Sequence, residues 1–157
     1  MAPTPAHADD WPSTARSIFN QVVSDPTTFA PAVVSYTAER LDWRSSQVLF
    51  QHGYLEHNAQ FTVRGFADAV PVSYVAGKKI ILKNSLQDLG ASLVNNVAAR
   101  IIERTLVARH PKREKVIRTI GWIERISFAV SLASVQSANH FRQWRQNERL
   151  ARQLGYR

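Results

Sequence analysis

The clearest helical pattern in the chain is IILKNSLQDLGASLVNNVAARII, residues 80–102. Its apolar residues recur at steps of three and four, the spacing that places side chains on one face of an α-helix. They are Ile81, Leu82, Leu86, Leu89, Leu93, Val94, Val97, Ile101 and Ile102. The pattern predicts a helix from about Lys79 to Ala108, because the tripeptide Arg109-His110-Pro111 interrupts it.

A final helix follows this break and is predicted from about Lys112 to Leu154. Two of its faces are apolar, so we expect its middle to be buried. One face carries Val116, Ile120, Ile123, Ser127 and Val130, and another carries Trp122, Ile126, Ala129 and Ala133. The charges of Glu124 and Arg125 could form a functional pair, but we expect them at the edge of the core. The short break makes the last two helices an antiparallel hairpin.

Two shorter helices are predicted before the hairpin. Asp10 and Pro12 are typical of a helix start, and the Thr27-Thr28 pair can cap a second helix that ends near Gly53. The helical period is lost from Tyr54 to Gly77, where we predict an ordered loop with at most two short extended pieces. The sequence thus predicts an all-α fold of about four helices in one domain, residues 11–157. In this fold the first two helices pack on the hairpin and cover it.

Residues 1–10 are predicted to lie outside this domain. The tripeptide Ala6-His7-Ala8 resembles the small-x-small cleavage site of a signal peptide, but the charged and apolar regions that should precede it are missing. The segment is therefore either the remnant of a removed signal or a Pro/Ala-rich disordered leader. The first interpretation implies an exported, cell-envelope protein, either periplasmic or membrane-associated.

Composition excludes several classes of site and gives the chain a strong charge asymmetry. The 157 residues include no cysteine, which excludes disulfides, zinc-thiolate sites, iron–sulfur clusters and cysteine nucleophiles. The six glycines form no phosphate-binding loop or dinucleotide fingerprint, so no cofactor is predicted. Sixteen of the 20 Lys and Arg, but only five of the 12 Asp and Glu, lie after residue 75. This half should attract an anionic partner.

Hydropathy alone predicts no membrane span, since a span needs about 20 predominantly apolar residues. The longest stretch without Asp, Glu, Lys or Arg in the last helix is Ile126 to Phe141, and in the preceding helix it is Leu89 to Ala99. A stripe of small residues, Ser127, Ser131, Ser134 and Ala138, would permit close helix approach in a membrane or in a water-soluble bundle. The charges favour the water-soluble interpretation.

The C-terminal end of the last helix is basic and amphipathic. Arg142, Arg145, Arg149 and Arg152 fall within about 80° of one another on a helical wheel, with Trp144 on the other side. Such a helix could lie on an anionic membrane, bind an acidic groove of a partner protein or contact nucleic acid, or it could be a solvated helix end. Nucleic acid is unlikely as a partner, because no helix-turn-helix or stacking-sheet signature is present.

The densest polar run of the chain contains Asp42, Ser45, Ser46, Gly53, Glu56 and Asn58. This arrangement resembles a motif of small, largely uncharacterised bacterial helical membrane proteins, which have Asp, a Thr/Ser pair, Gly, Glu and Asn at the same offsets. Ala59 replaces the proline that usually follows, and Asn139-His140 resembles in reverse order a late His and Asn of that family. The resemblance implies a helical envelope protein and no known activity.

These polar residues allow two chemical interpretations. Asp42 and Glu56 could ligate a hard cation or act as a carboxylate pair, with His57 or His140 as a further ligand. Alternatively, both carboxylates pair with arginines such as Arg40, Arg44 or Arg125 and only stabilise the bundle.

Two functions follow from the sequence. The leading hypothesis is a non-enzymatic envelope protein that docks on a membrane surface or a larger complex through its basic helix. The alternative is a small metal-assisted or carboxylate-using hydrolase centred on Asp42, Glu56 and His57.

Overall fold

A computed structural model describes residues 11–156, and the chain forms four α-helices within that range. They are α1 (Trp11–Val23), α2 (Pro26–Gln51), α3 (Tyr74–Arg109) and α4 (Glu114–Gln153). The described residues contain no β-strand, so the predicted all-α class is confirmed, with its long loop and its C-terminal hairpin. The predicted leader, residues 1–10, and the Asp10 cap lie outside the described residues.

The start of α2 differs from the predicted position because Asp25 provides the cap. Its carboxylate accepts hydrogen bonds from the Thr27 amide at 3.1 Å and from the Thr27 hydroxyl at 2.7 Å. The helix therefore begins at Pro26, and the predicted capping by the Thr27-Thr28 pair is wrong. Pro26 occupies the first turn, where its missing N–H costs nothing.

The loop between α2 and α3 is shorter than predicted, because α3 begins at Tyr74 rather than near Lys79. Ser73 caps this helix by accepting a hydrogen bond from the Ala76 amide at 3.2 Å. Within the loop, Thr62 and Pro71 form an antiparallel bridge, which agrees with the two short extended pieces expected there.

The helices α2, α3 and α4 alternate in direction along the chain. Hydrogen bonds from α2 and its cap to α3 pair low residue numbers with high ones, so these helices are antiparallel; the pairs are Thr28–Asn96, Ser35–Asp88 and Glu39–Asn84. In the hydrogen bonds to α4, the residue numbers of the two partners increase together, so α2 and α4 are parallel. The pairs are Asp25–Arg125, Asp42–His140 and Ser46–Asn147. Thus α2 packs on both helices of the hairpin, and α1 packs mainly on α3.

The buried face of α3 is polar rather than apolar. It consists of Gly77, Ile81, Ser85, Asp88, Ser92, Asn96 and Glu103. Of the apolar stripe that identifies this helix in the sequence, Leu82, Leu86, Val94, Ile101 and Ile102 are exposed. The stripe therefore predicts the helix correctly, but most of it faces outward, because the side chains of α2 that meet α3 are mostly polar and select a polar face. Ile81 is the one buried member, and Leu89, Leu93 and Val97 are half-buried.

The prediction that the middle of α4 is buried is wrong. Its buried residues are Arg125, Ala129, Ser137 and Asn147, whereas Ile120, Trp122, Ile123 and Val130 are exposed. The stripe of small residues, Ser127, Ser131, Ser134 and Ala138, also lies on the exposed side. Only one narrow side of α4 packs within the described chain, so its two apolar faces cannot both be covered.

Arg125 is the most deeply buried charge of the structure's hairpin, at 2% exposure, and does not lie at the edge of the core as expected. Its guanidinium donates to Asp25 at 3.1 Å and to Glu103 at 3.0 Å. Arg100 also pairs with Asp25 at 3.1 Å. We call these four residues the ion cluster. Glu124 is exposed and takes no part in it.

The hydropathy of the helices agrees with the expectation from the sequence that none of them spans a membrane. Among residues 11–156, no helix combines the length and the apolar character needed to cross a membrane.

Candidate functional site

A partly open cleft of about 480 Å³ lies where α2 ends, between α2, the following loop and the C-terminal half of α4. All six residues predicted for a polar site line it: Asp42, Glu56, His57, Asn58, Asn139 and His140. The first four are close in sequence, whereas the last two come from α4 and are brought in by the parallel packing of α2 and α4. The cleft is therefore our candidate functional site.

Asp42 and His140 form the central pair of the cleft. The imidazole Nδ1 of His140 lies 2.8 Å from Oδ2 of Asp42. Burial alone would lower the pKa of His140, but the hydrogen bond and charge of Asp42, together with the charges of Glu39 and Glu56, raise it above its ordinary value. The carboxylate thus favours the protonated imidazole and fixes the orientation of the ring.

Asn147 connects the remaining residues of the Asp42 motif and was not predicted from the sequence. Its amide donates to Ser46 Oγ at 2.8 Å, to Ser45 Oγ at 3.2 Å and to Asp42 Oδ1 at 3.2 Å. The spacing of seven residues between His140 and Asn147 places both on one face of α4, which is the signal that could have identified it. The serine pair therefore holds α4 against α2.

Gly53, Glu56 and Asn58 shape the loop wall of the cleft. Gly53 follows the end of α2 with φ of +86°, a conformation that favours glycine, so its predicted role as a helix stop is confirmed. Glu56 accepts a hydrogen bond from the Asn58 amide at 2.7 Å, and Asn58 in turn accepts one from the Gln60 amide at 3.1 Å. These short-range bonds hold the loop between Glu56 and Gln60 in place.

The acidic residues of the cleft influence one another. Burial raises the pKa of Glu56, and the nearby charge of Asp42 adds to this effect, although the hydrogen bond from the Asn58 amide acts against it. His57 is exposed and pairs with Asp68, another loop residue, rather than with Asp42. Burial also raises the pKa of Glu39, which lines the same cleft, so two carboxyl groups of the site bind a proton more readily than an exposed glutamate.

Aromatic side chains form the base of the cleft. The ring of Trp43 lies 5.1 Å from that of Phe61 and 5.6 Å from that of Phe50. Its indole N–H donates to the Tyr74 carbonyl at 3.2 Å. The cleft thus combines an apolar base with polar walls, which is the usual composition of a site for small molecules.

The alternative in which arginines pair with Asp42 and Glu56 is wrong. Arg125 belongs to the ion cluster, and Arg40 donates to the Tyr36 hydroxyl at 3.0 Å. No lysine or arginine lines the cleft. Within the described part of the chain, no three His, Asp or Glu residues are grouped as a metal site would require. Asp42 and His140 are present in the cleft as a carboxylate–imidazole pair.

The four C-terminal arginines lie on the same segment of α4 as the cleft residues, on its exposed side. Arg142, Arg145, Arg149 and Arg152 are all exposed, and we call them the arginine face. Arg152 approaches Glu148 at 3.5 Å, whereas the other three have no ion-pair partner in residues 11–156. Trp144 is half-buried and donates to Glu148 at 3.1 Å. The predicted basic surface is therefore available to a partner.

No protein-family model, curated protein or solved structure matches this chain significantly.

Proposed function

We propose that this is a non-enzymatic cell-envelope protein that docks on an anionic membrane surface through the arginine face. The exposure of all four arginines, three of them without an ion-pair partner in the described chain, carries the proposal. Arg40 and Lys78, Lys79 and Lys83 are exposed at the same end of the bundle, since α3 runs antiparallel to α2. An anionic surface would neutralise these charges together.

The docking proposal is tested by flotation with vesicles of phosphatidylcholine, alone or with one quarter phosphatidylglycerol. We expect tighter binding to the anionic vesicles. Replacing Arg142, Arg145, Arg149 and Arg152 by Gln should weaken that binding by a factor on the order of 1,000, since each cation contributes roughly 1 kcal/mol near an anionic surface.

The matched control replaces the same four residues by Lys, which retains the charge and should leave the preference for anionic vesicles intact. Equal binding of the native protein to both vesicle types would contradict the proposal and favour an acidic protein partner. Undiminished binding of the Gln variant would also contradict it.

A second candidate function is hydrolysis in the cleft, and the Asp42–His140 pair is the observation that favours it. Asp42 holds Nδ1 of His140, and Nε2 has no hydrogen-bond partner among the described residues. A neutral imidazole held in this way could take a proton from an attacking water molecule, while Asp42 stabilises the imidazolium that forms. Glu56, which lines the same cleft, could then act as the general acid for the leaving group.

This candidate is tested with p-nitrophenyl acetate as the probe substrate. Replacing His140 by Asn should reduce turnover at least 100-fold, which is the lower range for the loss of a general base. Because the neutral imidazole is the base, the rate of the native protein should rise with pH through the raised pKa of His140. His52→Asn is the control, since His52 is exposed and outside the cleft. Equal rates for His140→Asn and native protein would exclude the mechanism.

A further inference from the structure

Large apolar side chains cover the outside of all four helices. Val94 on α3 is 72% exposed and Val135 on α4 is 75% exposed. Other examples are Phe19 on α1, Phe29 and Val33 on α2, Leu86, Ile101 and Ile102 on α3, and Val130 on α4. In a protein surrounded by water, an exposed apolar surface of this extent would be costly. Its presence on α2, α3 and α4 indicates a partner that covers more than one side of the bundle.

The charged residues of the same helix segments face inward. On α3, twenty residues separate the exposed Lys83 from the exposed Arg104, and the charges between them, Asp88, Arg100 and Glu103, point into the bundle. Asp88 accepts a hydrogen bond from the Ser35 hydroxyl at 2.5 Å, and the other two belong to the ion cluster. The outer surface of α3 is thus free of charge over about 30 Å of helix.

The neighbouring helices have matching uncharged outer surfaces. On α4, seventeen residues separate the exposed Glu124 from the exposed Arg142, and the charge between them, Arg125, is buried. On α2, no charged residue is exposed from Pro26 to Glu39, and Arg40 follows. We call the uncharged outer surface of these three segments the apolar belt; on α4, Val130 and Val135 share it with Ser127, Ser131, Ser134, Gln136 and Asn139. Contacts of Glu39 with Asn84 and of Asp42 with His140 place Arg40, Lys83 and Arg142 at one edge of it.

We propose that lipid acyl chains cover the apolar belt. The height of the belt on α3 matches the hydrocarbon core of a bilayer, about 30 Å. A second protein copy would cover one side of the bundle, whereas acyl chains reach every side. Inside the bundle, the charges and amides have partners on neighbouring helices, as polar groups at membrane depth require. The cations at the edge of the belt are suited to anionic headgroups.

This inference is compatible with the low mean hydropathy of each helix. A mean along the chain counts inward-facing and outward-facing side chains equally, so Asp88, Arg100, Glu103 and Arg125 lower it although none of them is exposed. The surface that a lipid would contact excludes these four charges. The inference rests on the apolar faces and does not require the arginine face, so it can hold or fail separately from the docking proposal.

The absence of cysteine in the chain permits a direct test with spin labels. The full-length protein is reconstituted in vesicles of phosphatidylethanolamine and phosphatidylglycerol, with one cysteine introduced in each variant. Val94→Cys and Val135→Cys lie in the belt, whereas Val63→Cys in the loop and Val116→Cys at the start of α4 lie outside it. These control valines are comparably exposed, at 68% and 59%, so exposure alone does not separate the two pairs.

The measured quantity is the rate at which each label collides with two reagents, oxygen and a water-soluble nickel chelate. Oxygen concentrates in lipid, whereas the nickel chelate stays in water, so the two rates separate the outcomes. We expect high oxygen and low nickel accessibility at positions 94 and 135, and high nickel accessibility at positions 63 and 116. Low accessibility to both reagents at positions 94 and 135 would overturn the proposal and indicate contact with a second protein copy. High nickel accessibility there would overturn it as well, because it would place the belt in water.

Discussion

Arg125→Met is expected to destabilise the folded chain by about 3 kcal/mol. The substitution leaves the carboxylates of Asp25 and Glu103 buried without the guanidinium that contacts both, at 3.1 and 3.0 Å. A buried charge that loses its partner costs far more than an exposed one, because water cannot replace the lost contact. Arg100 still pairs with Asp25 at 3.1 Å and limits the loss, so we do not expect complete unfolding.

Thermal unfolding followed by circular dichroism measures this effect, with all variants in the same buffer. A loss of about 3 kcal/mol corresponds to a decrease of roughly 10 °C in the Tm of a chain of this size. Arg145→Met provides the matched control, since it makes the same substitution on an exposed position of the same helix and should change the free energy of unfolding by less than about 0.5 kcal/mol. Equal effects of the two substitutions would show that the ion cluster does not stabilise the bundle.

The order and ends of the helices could be predicted because they depend on short-range chemistry. The break at His110-Pro111 and the glycine stop at Gly53 act within one helical turn, and both are found as predicted. Even the errors at helix starts, at Asp25 and Ser73, involve residues that are good caps in their own right. Several residues near a helix start can act as caps, and the choice among them depends on packing that the sequence does not display.

Which face of each helix is buried could not be predicted in the same way. An apolar stripe ordinarily marks the buried face of a helix, and this rule assumes that water is the surrounding medium. On α3 the stripe with Leu86 and Val94 is exposed, while the face with Asp88 and Asn96 packs on α2. Spacing identifies that two faces differ, whereas only tertiary packing, or a lipid environment, determines which of them is inside.

The residues of the candidate site could be predicted from the sequence, but the hydrogen bonds that connect them could not. Regular offsets from Asp42 to Asn58 identify the polar run, and the loop turn at Gly53 explains those offsets. The partners on α4 are about 100 residues away, and their position follows from the parallel packing of α2 and α4. His140 is among the predicted ligands, whereas Asn147, which contacts both serines, is not, because its spacing of seven residues from His140 becomes a signal only once His140 is known to lie against Asp42.

The aromatic base of the cleft gives the second prediction, which concerns Gly77 on α3. A Cβ atom added at Gly77 would lie 2.2 Å from the Trp43 ring, which is far closer than two carbon atoms can approach. Trp43 is itself buried against Phe61 and Ile81, so its ring cannot move away without disturbing this small core. Gly77→Ala should therefore destabilise the protein by about 2 kcal/mol, which is in the range for overpacking a core.

Gly90→Ala is the matched control, since Gly90 lies on the same helix and an added Cβ would meet nothing within 4 Å. Alanine has the higher helix propensity, so this variant should instead be stabilised by about 0.5–1 kcal/mol. The two substitutions are chemically identical, and their opposite signs in thermal unfolding would isolate the contact between Gly77 and Trp43. A stabilised Gly77→Ala variant would show that α3 does not approach Trp43 so closely, and the base of the cleft would then have to be revised.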